Sequence, residues 1–254
     1  MLWVSGVFVS CIFFVSCILY LVDFLTSWDD GYLLDLRVAD LLDRYGAKGT
    51  FYVCPKSQHG QQMMSEEQIK TLSGRHTIGA HTLTHPHLTR ISEAHATQEI
   101  RGSKTWVEGV TGKPCTMFCY PYGAVNPRVR TIVEQAGFSG ARTTKDLEFS
   151  STDPFLQPLT LQIFPFPWRR RMKLSWKSLD FFGPLRARYP RLRKLKTPHS
   201  AMGSWLTVAK YLYGYAKETK QDFFHLYGHS REIEKYGMWE ELEEFLRFVK
   251  HHQA

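Results

Sequence analysis

Two histidines four residues apart, His81 and His85, and two adjacent aspartates, Asp29 and Asp30, are the side chains of this 254-residue chain best suited to chemistry. The His81-Thr82-Leu83-Thr84-His85 spacing predicts two imidazoles on one side of a helical turn, where both can bind one cation. A carboxylate added to them makes a three-ligand site with one coordination position open for water, the arrangement of a catalytic rather than a structural zinc. Asp30 can supply that carboxylate and leave Asp29 free. A bound divalent cation lowers the pKa of its water to about 7, and an uncoordinated carboxylate beside it can then act as general base. Taken alone, Asp29-Asp30-Gly31 also suits an ordinary strand-to-helix turn.

The elements that must position these groups alternate. A strand ending near Thr26, drawn from about Cys17 onward, precedes Ser27-Trp28-Asp29. Leu34, Val38, Leu41, Leu42 and Tyr45 then recur at helical spacing up to Gly46. Gly49 to Cys54 is β-branched and aromatic, as a buried strand requires, and Pro55 closes it. Ser65 and Gln68 form a capping box for a helix to Leu72, and His76 to Ala80 reads as the next strand. Ser92 caps a helix with Ala96, Ile100, Val107 and Val110 on its apolar face, and a strand follows at Cys115 to Tyr120. Asn126 and Pro127 open another helix that Gly137 ends. From about Phe149 to Thr197 the pattern lapses into Pro-rich, aromatic and basic sequence, read as a long loop or insertion with short helices. Ser204 caps a helix to about Glu218, Asp222 to Tyr227 is a strand, and a last helix carries Trp239, Leu242, Leu246 and Val249. Alternating strands and helices imply a parallel sheet with helices outside, closed in one common form into a barrel. The C-terminal strand ends of a barrel gather on one face, and Asp29, Asp30, His81, Tyr122 and His229 all fall at such ends.

At 43% hydrophobic and 14% aromatic, the chain can bury one sizeable core. Its formal charge of +8 is local: residues 168 to 200 hold eleven Lys or Arg against Asp180, a balance of +10 that leaves −2 for the remainder. That stretch, with Trp168, Trp176 and Tyr189, is open to an anionic glycan, a lipid phosphate surface or plain solvation. No nucleic-acid-binding motif accompanies it, and no nucleic acid is expected as a partner. Cys11, Cys17, Cys54, Cys115 and Cys119 make an odd number with no CxxC pair, so free thiols are expected. Residues 1 to 22 carry no charged side chain and are about as long as the ~20 residues that cross a bilayer core. Two readings stay open: a membrane anchor or signal, which would place the protein at a membrane surface or outside the cell, or an extension into the first strand of a cytoplasmic protein. The remaining residues, 23 to 254, form one expected domain with the basic insertion at about 150 to 200.

Four motifs in order, Ser27-Trp28-Asp29-Asp30-Gly31, His81-Thr82-Leu83-Thr84-His85, Tyr120-Pro121-Tyr122-Gly123 and His225-Leu226-Tyr227-Gly228-His229, resemble those of the polysaccharide deacetylase family, the NodB-homology domains. The resemblance spans about Phe24 to Phe248. It implies an irregular (β/α) barrel of seven parallel strands and hydrolysis of N-acetyl, less often O-acetyl, groups on glycans such as chitin, peptidoglycan or xylan. By the same resemblance Asp29 is the general base, and Asp30, His81 and His85 hold a divalent ion, zinc with cobalt as the alternative. The backbone N–H of Tyr122 stabilises the oxyanion, and His229 protonates the leaving amine. An N-acetylated glycan is the implied partner.

Two departures from the family pattern stand out. Cys119 occupies the position where the family has an arginine that orients the base, and Arg142, at the next strand end, is the candidate replacement on the substrate side along with Tyr122. No Asp-x-x-Asp-Trp segment is found, and Asp146 or Glu232 could stand in for the carboxylate that tunes the acid histidine. His225 is a rival to His229, and His87 a potential fourth ligand. Other readings on the same fold are a hydrolase of a non-sugar amide or formamide, and a non-catalytic glycan-binding barrel.

Overall fold

The computed structural model describes residues 22–56, 60–168 and 182–253. Most of the uncharged N-terminal run, with Cys11 and Cys17, and the segment 169–181 of the basic stretch lie outside them. Among the described residues no helix is long and apolar enough to cross a membrane.

Seven strands, β1 (Asp23–Asp30), β2 (Thr50–Val53), β3 (Thr77–Ala80), β4 (Met117–Cys119), β5 (Gly140–Arg142), β6 (Leu161–Gln162) and β7 (Phe223–Gly228), form one curled sheet in the order β5-β4-β3-β2-β1-β7-β6. Every pairing is parallel. The irregular seven-stranded α/β barrel implied by the sequence is therefore the architecture found. Its irregularity lies between the edge strands β5 and β6, which do not form a ladder with each other. Residues 154–160 run along the gap instead. Gln157 N–H donates to Ala141 O at 2.9 Å and Thr143 N–H to Gln157 O at 2.8 Å on one side, while Thr160 N–H donates to His225 O at 2.9 Å on the other.

The helices that wrap the sheet are α1 (Asp35–Arg44), α2 (Glu66–Leu72), α3 (Glu93–Thr111), α4 (Pro127–Gln135), α5 (Gly183–Lys194), α6 (Trp205–Glu218), α7 (Ser230–Tyr236) and α8 (Trp239–Gln253). Local chemistry starts several of them. Ser65 and Gln68 make a reciprocal capping box, and the side chains of Ser92 and Asn126 accept from His95 N–H and Val129 N–H. Apolar stripes then dock each helix on the sheet, as with Leu212 and Tyr213 of α6 and Leu242, Phe245 and Leu246 of α8. Phe24, Tyr213, Phe224 and Phe245 meet there with ring centroids 5.6 to 6.4 Å apart. Burial of each such side chain contributes about 1.5–3 kcal/mol.

Three expectations are corrected. The first strand begins at Asp23 among the described residues and runs through Asp30, so the acidic pair belongs to the strand itself rather than to a turn after it, in register with Tyr52 and Val53. The ladder with β2 extends that far, whereas the one with β7 ends at Trp28. The stretch 149–197, read as a loop or insertion with short helices, also carries a strand among its described residues. It contains β6 and the twelve-residue α5, whose Pro190 and basic composition obscured a helix that buries Pro184 and Leu192. Finally, His81 to His85 is not helical: His81 leaves β3 directly, and Thr82 and His85 adopt left-handed φ values of +65° and +56°.

Candidate active site

Both aspartates reach the mouth of the sheet because the backbone changes course between them. Successive strand residues point to opposite faces, but Asp30 has φ +83° and turns its carboxylate back beside that of Asp29. His81 Nε2 consequently stands 4.0 Å from Asp29 Oδ2 and 3.7 Å from Asp30 Oδ1. His85 Nε2 is 3.5 Å from the same Asp30 oxygen.

Asp30, His81 and His85 thus offer three ligand atoms around one point. Ligands about 2.0–2.1 Å from a tetrahedral zinc are about 3.3 Å from one another, close to these spacings. Asp30 Oδ1 is buried and receives no hydrogen bond, which suits an atom reserved for a cation. His81 Nδ1 lies 2.8 Å from Cys119 O. A carbonyl only accepts, so Nδ1 carries the proton and Nε2 presents its lone pair to the centre. Burial, then the neighbouring His81, lowers the His85 pKa, keeping that imidazole in the neutral form a metal binds.

Asp29, His81 and Cys119 form a rival trio. A guanidinium decides against it. Arg142 Nη2 contacts both Asp29 oxygens and lies 2.8 Å from Cys119 Sγ, placing a fixed positive charge where a cation would sit. Burial also pushes the Cys119 thiol well above its ordinary pKa, so it is a poor metal ligand.

The Arg142–Asp29 pair is wholly enclosed, and Arg142 is flanked by the rings of Tyr227 and Tyr52, 4.3 and 5.3 Å from the guanidinium carbon. Burial alone would raise the Asp29 pKa. The charges of Arg142, His81 and His229, with the Arg142 hydrogen bond, together outweigh it, and the carboxyl stays well below the usual carboxylate range. Asp29 is therefore an ionised carboxylate beside the trio, oriented by Arg142, with the Cys119 thiol also donating to its Oδ2 at 3.4 Å.

His229 follows β7 and faces the same centre, with Nε2 3.9 Å from Asp30 Oδ2 and 3.2 Å from the Tyr227 hydroxyl. Its Nδ1 is 3.3 Å from Glu232 Oε2, one turn into α7. Burial would lower its pKa, but the Glu232 hydrogen bond and the charges of Asp30 and Asp29 raise it to about 9. Of the two carboxylates that could tune His229, Glu232 is the one in contact. Asp146 is engaged by Arg188 and Arg191 of α5 at 2.7 and 2.6 Å.

His225 is buried four residues earlier, with Nε2 2.9 Å from Ser27 Oγ, and takes no part in the trio. His87 is not a fourth ligand: its Nδ1 lies 3.0 Å from Thr89 Oγ1, and its ring stacks on Tyr122 with centroids 5.7 Å apart. Tyr122 is 62% exposed, left-handed at φ +59°, and meets His85 edge-on at 4.7 Å. A side chain at the following Gly123 would collide with Thr144, so this turn is held tightly against the end of β5.

Sequence reasoning passed over Glu99 and Asp35. Both are buried acids in amphipathic helices, where spacing alone reads them as solvent-facing. Asp35 accepts a hydrogen bond from Ser230 Oγ at 2.5 Å and so links α1 to α7 directly behind His229.

Residues 24–141 match the family model described as Polysaccharide deacetylase. The chain is 32% identical over 124 residues to the peptidoglycan-N-acetylglucosamine deacetylase of Listeria monocytogenes, covering 48% of this chain and 25% of the relative. It is 30% identical over 133 residues to chitin deacetylase 1 of Cryptococcus neoformans, covering 51% and 27%. The chain spans less than half the length of the curated relatives it matches. Among solved structures, a mutant CE4-family pseudoenzyme with restored enzymatic activity superposes over 90% of this chain and 62% of its own, at TM-score 0.53 and 13% identity. That likeness concerns the fold.

Proposed function

We propose that this chain, whose residues 24–141 match the polysaccharide deacetylase family model, is a metal-dependent hydrolase that removes N-acetyl groups from the amino sugars of a glycan. The observation that carries the reading is the division of the two aspartates. Asp30 has a free buried oxygen facing His81 and His85, whereas Asp29 is kept ionised and out of that trio by Arg142.

A divalent ion held by Asp30, His81 and His85, zinc or else cobalt, would acidify water and polarise the acetyl carbonyl. Asp29 takes a proton from the attacking water as its oxygen bonds to the carbonyl carbon. Arg142 holds the Asp29 carboxylate in place for that transfer. The Tyr122 N–H donates to the carbonyl oxygen as negative charge gathers on it. His229, protonated and braced by Glu232, gives its proton to the sugar nitrogen as the C–N bond breaks. Acetate and a free amine result.

The test is acetate release from N-acetylated oligosaccharides, measured before chelation, after chelation and after restoring Zn²⁺ or Co²⁺. Turnover that is lost and then restored supports the reading, and turnover indifferent to the chelator overturns it. The shifted arginine and the Glu232 brace depart from the family pattern next to where the substrate would lie. The substrate panel therefore includes non-sugar acetamides and formamides.

A further inference from the structure

We infer that the face of α3 formed by Glu99 and Gly102 sets the position of the His81–His85 loop, and that Glu99 is a positioning residue for the metal trio; this rests on the metal reading of that site. The loop cannot hold its own shape. Two of its five residues, Thr82 and His85, are left-handed, a conformation that side-chain-bearing residues avoid unless their surroundings enforce it. Within the loop, Thr82 Oγ1 accepts from His85 N–H at 3.0 Å and donates to His81 O at 2.5 Å.

The rest of the restraint comes from α3. Glu99 is 3% exposed, and its Oε2 accepts from Leu83 N–H and Thr84 N–H, both at 2.8 Å. Its Oε1 accepts from the Thr84 hydroxyl at 2.6 Å, with His95 Nε2 3.6 Å away at the solvent side. A buried carboxylate is stable only when its lone pairs are filled, and here the loop fills them.

Gly102, one turn further along the same helix, supplies an independent restraint. A Cβ there would stand 2.6 Å from Leu83 Cδ1. Glycine weakens a helix interior, so a bare position beneath Leu83 has a packing reason. On the opposite side, Leu83 O accepts from the Cys54 thiol at 3.3 Å. Leu83 and Thr84 are thus fixed from three directions, and His85 follows with its Nε2 facing Asp30. The carboxylate acts through the loop and does not touch the trio.

Zinc affinity of the full chain, read by competition with a chromophoric chelator, tests this. Glu99→Ala is expected to weaken zinc binding about 10–100-fold, the usual cost of removing a group that orients metal ligands. Glu99→Gln is expected to lose much less, because its amide oxygen can accept both N–H groups while its NH₂ donates to Thr84. Gly102→Ala is expected to weaken zinc binding without destabilising the metal-free protein, since alanine is the better helix former. A merely structural Glu99 would lower the melting temperature of the metal-free chain and leave the affinity of the folded protein unchanged.

Zinc affinities of Glu99→Ala and Gly102→Ala within about twofold of the wild type overturn the inference. If Glu99→Ala does not fold, Gly102→Ala decides by the same threshold. Failure of the wild type itself to bind zinc would remove the metal reading together with this one.

Discussion

Cys119 and Arg142 are register partners on adjacent parallel strands, and the guanidinium of Arg142 crosses to Asp29 past the Cys119 sulfur. Neighbouring strands lie about 4.8 Å apart. An arginine moved one strand over at the same level therefore still reaches the same carboxylate, provided the vacated position carries a small side chain. Cys119 meets that condition. The charge pattern of the site is preserved while its origin in the sequence changes.

Removing the guanidinium strands a buried carboxylate. Arg142→Ala is expected to lower the unfolding free energy by about 3–5 kcal/mol, the cost of breaking a buried ion pair on one side, as read from denaturant titration. Acetate release should fall with it. The double variant Cys119→Arg/Arg142→Ala should regain part of both stability and turnover. A double variant no better than Arg142→Ala would show that register equivalence is not enough to restore the pair.

Metal binding should register as stability independently of turnover. Zinc at 100 times its dissociation constant would stabilise the fold by about 2.7 kcal/mol, a rise in melting temperature of about 5–10 °C for a chain of this size. Asp30→Asn and His85→Ala should abolish that rise, whereas Asp29→Asn should keep it while losing activity. Equal zinc-induced shifts in Asp29→Asn and Asp30→Asn would contradict the division of roles between the two aspartates.

How much of this was legible in the sequence depended on the distance over which each feature is determined. Ser65 with Gln68, Ser92, and Asn126 with Pro127 announce their helices because a cap is a contact within three residues. The strand-end placement of Asp29, Asp30, His81, Tyr122 and His229 was readable for a related reason, since each lies at or just beyond the end of its own apolar strand. The conformation of residues 81–85 was not, because Glu99, whose carboxylate holds the loop open, comes from the next helix. Strand β6 was missed because two residues carry no periodicity, and α7 because a seven-residue helix directly after β7 has little room for an apolar stripe. The Arg142–Asp29 pair could be guessed from position but needed the β4–β5 register to become geometry.

The Glu232 brace gives His229 a defined pH signature in the metal-free protein. Its folded pKa of about 9 lies above the ordinary 6.5, so the stabilisation is complete below pH 6.5 and is lost as the pH rises through 9. Glu232→Ala removes the hydrogen bond that raises it. The variant should be less stable than the wild type by about 1.5–3 kcal/mol near pH 6, with the gap closing towards pH 9. Chelator-treated samples melted across that range provide the check. A gap that widens with pH would mean that Glu232 does not stabilise the protonated imidazole.

Asp35 should shift stability with pH in the same sense, over a lower range. It is fully buried, Ser230 satisfies one of its oxygens, and the other has no hydrogen-bond partner. Burial, reinforced by the nearby charge of Asp30, raises its pKa to about 8 from the ordinary 3.8, against the lowering effect of the Ser230 bond. Between those two values the folded metal-free chain holds a proton that the unfolded chain has released, so stability falls as the pH rises, by up to about 1.4 kcal/mol per pH unit. Asp35→Asn keeps an acceptor for Ser230 and has no proton to lose. Relative to the wild type it should gain stability steadily from pH 5 to 8 and hold that gain above 8, in denaturant titrations of chelator-treated protein. If the two proteins instead follow parallel pH curves, the Asp35 carboxylate is ionised in the fold, and a cation must reach the oxygen that now lacks a partner. Arg231 would be the first place to look, since its charge acts on the neighbouring Tyr32 and its Nε is buried without an acceptor.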